Sequence, residues 1–227
     1  MHAADHFDHS FELEETLLAK GKAAALETVR DMIHEPGTVA YVRQQEPAGL
    51  GHAVWCARHL IHDEPVAVLL ADDLILGPSC LAEMVASYQG GNMVAVMDVP
   101  KSETGSYGII TPGADHGQLV EVSELVEKPD PANAPSNIGV VGRYIIESGV
   151  FARLGTQDRG AGNEVQLTDA LARQIGKVPF HGFRFSGERF DCGSKIGFLQ
   201  ANIAFAMSRD DLAEPLASWI KNRMVIS

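Results

Sequence analysis

Apolar positions along the chain alternate between two periods. Over residues 11–32, Leu13, Leu17 and Leu18, then Ala24, Leu26 and Val29, fall at near-helical spacing and predict one helix. Residues 38–43, TVAYVR, are β-branched and aromatic and predict a strand. A Gly-rich turn follows, then a helical stretch over residues 51–61. Residues 65–71, PVAVLLA, are a continuous apolar run that stops at Asp72 and Asp73, the pattern of a strand buried on both faces. A short helix over 81–88 and a strand over 93–99 come next.

From 107 to 146 short strands alternate with turns, in SYGII, ELVEKP and NIGVVGRYII. Residues 163–175 read as helix, 178–185 and 189–190 as strands, and 195–208 and 210–224 as closing helices. Strand–helix alternation in the first half predicts a three-layer α/β/α sandwich with a mostly parallel sheet, which the strand-rich middle makes mixed. No repeat or low-complexity tract interrupts it, and the expectation is one domain over 1–227.

Composition changes this picture little: 45% hydrophobic and 21% charged residues suit a globular protein. Charge changes it more. A net charge of −12 disfavours nucleic acid and anionic lipid as partners, while a local Lys or a set of backbone N–H groups can still hold a phosphate. Cys56, Cys80 and Cys192 form no C-x-x-C, so neither a disulfide framework nor a thiolate metal site is indicated. The polar, acidic N-terminus does not read as a secretory signal, and no apolar run spans a bilayer, so a cytoplasmic location is expected.

Three segments carry candidate chemistry at strand ends, where open α/β sheets gather ligands. In the first, residues 43–52, glycines permit close backbone approach and Gln44 can donate and accept at once, which suits a nucleobase edge or simply a strand-to-helix turn. The second is Asp72-Asp73, adjacent carboxylates that suit a hard cation such as Mg2+, or else Asp73 as a structural cap. In the third, Glu127-Lys128-Pro129, the Pro starts a turn that lets both preceding side chains reach one cleft; Glu accepts from sugar hydroxyls and Lys is a point charge for phosphate. A solvated ion pair is the bland alternative. His2, His6 and His9 read as adventitious metal binders, and Cys192 as a small buried residue.

In series, HFDHSFELE, RQQEPAGLGHAVWCA, DEPVAVLLADD, SYGII, VEKP, APSNIGVVGRYI, GAGNEVQLTDAL and FDCGSKIGF resemble the bacterial UTP–glucose-1-phosphate uridylyltransferases, from about His6 to the last helix. The resemblance implies a nucleotidyltransferase sandwich with a mixed sheet. It implies a reaction of UTP with glucose 1-phosphate giving UDP-glucose and pyrophosphate, with Mg2+ as cofactor. Residue by residue it implies that Gln44 and Gly49 hold uracil and that Asp72 binds Mg2+ with Asp191 nearby. Gly108 and Glu127 would hold glucose and Lys128 its phosphate, with the GNEVQLTDA segment and Lys195 as support.

The chain departs from that pattern in one respect: no G-x-G-T-R loop precedes His6. The expectation is a fragment, a reading frame opened at an internal Met, or a divergent non-catalytic homologue, lacking central strands and part of the nucleotide site. Little turnover and a homo-oligomer that covers the exposed strand edges would follow. A glycosyltransferase using Asp72-Asp73 as its metal motif is the second enzyme reading.

Overall fold

The computed structural model describes residues 7–224, and the chain divides into two compact units between Gln45 and Glu46. In the first unit, α1 (Phe11–Ala19) and α2 (Ala23–Arg30) replace the single helix expected over 11–32. The break is at Gly21, whose left-handed φ of 65° lets its own N–H reach Leu18 O and that of Lys22 reach Leu17 O, closing α1. Between the helices Glu14 is buried, accepting from Arg30 Nε at 2.9 Å and meeting His9 Nδ1 at 2.9 Å. His2 and His6 lie outside the described residues.

No strand forms at 38–43, against expectation, and Val39, Tyr41 and Val42 are exposed. β-branched composition creates a preference for extended backbone, but a strand exists only where a neighbouring strand takes up its hydrogen bonds.

The second unit opens with α3 (Leu50–Cys56) and a 3-10 turn, then runs β1 (Val66–Leu69), β2 (Asp73–Leu76), α4 (Cys80–Ser87) and β3 (Asn92–Asp98). It continues with β4 (Gly108–His116), β5 (Leu119–Glu127), β6 (Ile138–Ile146), α5 (Gly149–Leu154), α6 (Leu167–Ala172), β7 (Phe180–Arg184), β8 (Glu188–Asp191), α7 (Lys195–Met207) and α8 (Ala213–Met224). The stretch expected to be one helix over 163–175 is shorter, because Glu164 and Gln166 are extended before α6 begins. Neither β2 nor α5 is legible in the periodicity.

Six strands form one sheet in the order β1-β6-β3-β7-β5-β4, and β2 pairs separately with β8. The sheet is mixed, but among its described pairings only β3 with β7 is parallel, so it is mainly antiparallel where the alternation predicted mostly parallel. The outer side of β6 is shared: its second half carries β1, and Gly139 near its start bridges to Ile109 of β4.

The two faces carry separate cores. Val94 and Val96 of β3 and Val140 and Tyr144 of β6 pack with Leu154, Leu167 and Leu171 of α5 and α6. The alternate residues Met93, Ala95, Val141 and Ile145 pack with Cys80 and Met84 of α4 and with Phe183. This period-two division produces the layered sandwich. Burial on both faces, expected for PVAVLLA, belongs instead to β3 and β6. β1 is an edge strand whose residues alternate between half-buried and exposed, with Leu69 50% exposed.

Candidate active site

The turn after β1 is held from below. Arg143, on β6, donates to the carbonyl oxygens of Leu70 at 2.9 Å, Gly142 at 2.8 Å and Asp73. Asp73 is 5% exposed; its Oδ2 accepts the Gly142 N–H at 2.6 Å and its Oδ1 pairs with the Arg189 guanidinium. Burial pulls the Arg189 proton toward release, and Asp73, Tyr107 and Asp191 together more than offset it, so the guanidinium is held above its ordinary value. With both Asp73 oxygens engaged inside the protein, the two aspartates do not act as a paired metal motif. Asp72 alone is left exposed at the turn, and its carbonyl accepts the Cys192 N–H at 2.7 Å. Cys192 is half-buried, less enclosed than expected.

Asp191 reaches the same place because β8 pairs with β2 in a register that sets Asp191 opposite Asp73. Both carboxylates flank Gly193: a Cβ there would lie 3.0 Å from Asp191 Oδ1 and 3.4 Å from Asp72 Oδ2. Among the described residues no group of three or more His, Cys, Asp or Glu is arranged to hold a metal. Two converging carboxylates nevertheless fit the needs of Mg2+, which takes one or two of them and completes its shell with phosphate oxygens and water.

The other end of the site is built by β4 and β5. Their register sets Gly108 opposite Glu127, and a Cβ on Gly108 would come 3.3 Å from Glu127 Oε2 and 3.5 Å from Thr168 Oγ1. The next residue, Lys128, has a φ of 47°, left-handed and uncommon for a residue with a side chain, and its N–H donates to Tyr107 O at 3.0 Å. This turn lets consecutive residues face one space where a regular strand would send them to opposite faces. Glu127 is largely enclosed, Lys128 half-exposed, and Lys128 Nζ lies 3.8 Å from Glu127 Oε1.

One cleft of about 340 Å3 is lined by Asp72, Asp191, Gly108, Glu127 and Lys128 together. Glu164, Gln166, Thr168, Tyr107, Tyr144 and Arg189 line it too. The first three were read only as support. Their i, i+2, i+4 spacing is the signal that could have found them, since it aligns side chains on one side of an extended segment that then enters a helix.

Gly49 does not line the cleft; its neighbour Leu50 does. At φ 103° Gly49 caps α3, and a Cβ there would meet Glu164 Cβ at 2.7 Å and Val165 O at 2.8 Å, so this glycine serves close packing on the protein's own 164–165 backbone. Gln44 belongs to the first unit. Lys195 opens α7 behind the Ser194 cap and is not part of the lining.

The sequence and the fold have counterparts among known proteins. The nucleotidyl transferase family model matches residues 8–208. The chain is 51% identical over 195 residues to the UTP–glucose-1-phosphate uridylyltransferase of Komagataeibacter xylinus, covering 85% of this chain and 69% of that protein. It superposes on a UDP-glucose pyrophosphorylase complexed with UDP-glucose at a TM-score of 0.80 and 37% identity, over 91% of this chain and 76% of the other. On a UTP-bound enzyme from Acinetobacter baumannii the TM-score is 0.86 at 33% identity, over 96% and 77%. On these matches the chain belongs to the nucleotidyl transferases and, within them, to the UTP–glucose-1-phosphate uridylyltransferases.

Proposed function

We propose that this protein joins UTP and glucose 1-phosphate to give UDP-glucose and pyrophosphate, at the cleft between Asp72 and Lys128. The observation that carries the reading is the pairing, in one 340 Å3 space, of two converging carboxylates with a Glu and a Lys about a glycine. A phosphate oxygen of glucose 1-phosphate bonds to the α-phosphorus of UTP; the bond from that phosphorus to the α–β bridging oxygen breaks and pyrophosphate leaves with the electron pair. Such a displacement needs alignment and charge neutralisation and no covalent protein nucleophile.

Asp72 and Asp191 would hold Mg2+, which supplies neutralisation of phosphate charge when bound. Glu127 accepts hydrogen bonds from glucose hydroxyls. The absent side chain at Gly108 leaves space for the sugar against the strand. Lys128 brings its ammonium to the sugar phosphate, and the enclosed carboxylate of Glu127 beside it keeps that Lys oriented. The backbone of Gly49 is assigned to uracil on the family's pattern. The engagement of both Asp73 oxygens speaks against a glycosyltransferase built on a two-aspartate metal motif.

A cytoplasmic setting suits three free thiols, and among the described residues no helix is long and apolar enough to cross a membrane. A homo-oligomer is supported by apolar side chains exposed on α7, treated below. The test of the function is Mg2+-dependent release of pyrophosphate with formation of UDP-glucose. Dependence on both substrates and loss in Lys128→Ala support the reading; a Lys128→Ala protein that turns over as fast as the parent overturns it.

A further inference from the structure

We propose that Arg189 is a positioning residue that locks the carboxylate end of the cleft to its sugar-phosphate end. The inference rests on the UDP-glucose reading above and adds how the two ends are kept in register. Arg189 stands on β8 two residues before Asp191, and its side chain is 12% exposed. On one side its guanidinium pairs with Asp73, the neighbour of Asp72. On the other, its Nη1 donates to the Tyr107 hydroxyl at 3.1 Å, with the guanidinium carbon 5.6 Å from the centre of that ring.

Tyr107 in turn touches both sugar-side elements. It directly precedes Gly108, and its carbonyl accepts the Lys128 N–H at 3.0 Å. Lys128 sits in a left-handed conformation that a side chain disfavours and that persists where the surroundings over-determine it. A chain of direct contacts therefore runs from Asp72 through Asp73, Arg189 and Tyr107 to Lys128. The planar fork of Arg is suited to this: it pairs with a carboxylate through one edge and donates to a hydroxyl with the remaining N–H groups, which a Lys point charge does not do at once. Asp73, enclosed and also fixed by the Gly142 N–H, is the immobile anchor.

UDP-glucose spans both ends, so the coupling between them is measurable without turnover. Calorimetric titration of UDP-glucose, with and without saturating Mg2+, gives the factor by which Mg2+ tightens binding. Tyr107→Phe removes a single hydroxyl from a half-buried ring and leaves the Arg189–Asp73 pair in place. In that variant the Mg2+-dependent gain should shrink by about tenfold while affinity without Mg2+ changes less than about threefold. Arg189→Lys should lose the same gain, and the double variant no more than either alone, because both break one link. A purely structural role would lower the melting temperature and both affinities in parallel and leave their ratio intact. A ratio in Tyr107→Phe equal to the parent's, with UDP-glucose bound, overturns the proposal alone. A parent that binds no UDP-glucose overturns the substrate reading and this inference with it. If Arg189→Lys does not fold, Tyr107→Phe decides the question.

Discussion

Asp72 and Asp73 are adjacent and chemically identical, yet they do opposite things. Both line the cleft, but Asp72 is exposed there, whereas Asp73 is buried with its oxygens taken up by Gly142 and Arg189. Asp72→Asn should leave thermal stability within about 0.5 kcal/mol, as for an exposed position. It should lower Mg2+-dependent pyrophosphate release by about a hundredfold or more, an amide being a poor ligand for a hard cation. Asp73→Asn should unfold at distinctly lower denaturant, by about 3 kcal/mol, because Arg189 is left charged and enclosed without its partner. Denaturant melts and a pyrophosphate assay on the two variants separate the roles, and the reverse pattern would show them exchanged. A thiol gives a third check at this scale. Cys80 is 4% exposed and burial pushes it up to about 11, whereas Cys56 and Cys192 are half-buried. At pH 8 an alkylating reagent should therefore modify Cys56 and Cys192 while Cys80 stays protected until the protein is unfolded, read by mass spectrometry of peptides. Glu127 and Lys128 were legible as candidates because Pro129 signals a turn; the left-handed backbone at Lys128 was not, since no glycine marks it.

At the scale of elements, glycines mark where segments dock. Gly49 joins the start of α3 to residues 164–165, with Gly51 N–H donating to Val165 O and Val165 N–H to Ala48 O, both at 2.8 Å. Gly49→Ala combines a left-handed φ with a Cβ closer than van der Waals contact to Glu164 and Val165. About 1–3 kcal/mol of backbone strain comes before the clash is counted. The variant should melt earlier and, because Glu164, Gln166 and Thr168 line the cleft, bind glucose 1-phosphate more weakly. Unchanged melting would mean that the 164–166 segment yields. The apolar run before Asp72 was correctly read as a strand and wrongly read as buried on both faces. Hydrophobic content reports that a segment prefers to leave water, and it does not report on how many sides strands or helices cover it.

At the scale of the molecule, apolar surface is left without cover. In α7, Ile196, Phe198 and Leu199 are each more than half exposed, while Gly197 and Ala201 face inward. β1 bonds to β6 on one side and has no further described neighbour on the other. An open strand edge and an apolar helix face both favour self-association. We expect multi-angle light scattering to report species larger than one chain, with a concentration-dependent mass. Ala67→Lys, a charge on the exposed side of β1, should reduce the part due to edge pairing. Phe198→Glu should reduce the part due to α7. A parent that elutes as one chain at all concentrations contradicts both.

What the sequence determined by itself is local and chemical. Apolar runs marked β1, β3 and β6 as strands, turn residues such as Pro129 marked the ends of strands, and the ordered motifs from HFDHSFELE to FDCGSKIGF carried the family. Tertiary structure alone decided which strands pair, and with them everything that depends on pairing. The register of β2 with β8 brings Asp191 to Asp72, and the register of β4 with β5 sets Gly108 against Glu127. Arg143 and Arg189, separated by 70 and 116 residues from the Asp73 they hold, give no local signal at all. Strand pairing and buried ion pairs are contacts between distant parts of the chain. Their energies depend on who the neighbour is, and a single sequence read along its length contains propensities for every segment but not the identity of the neighbours.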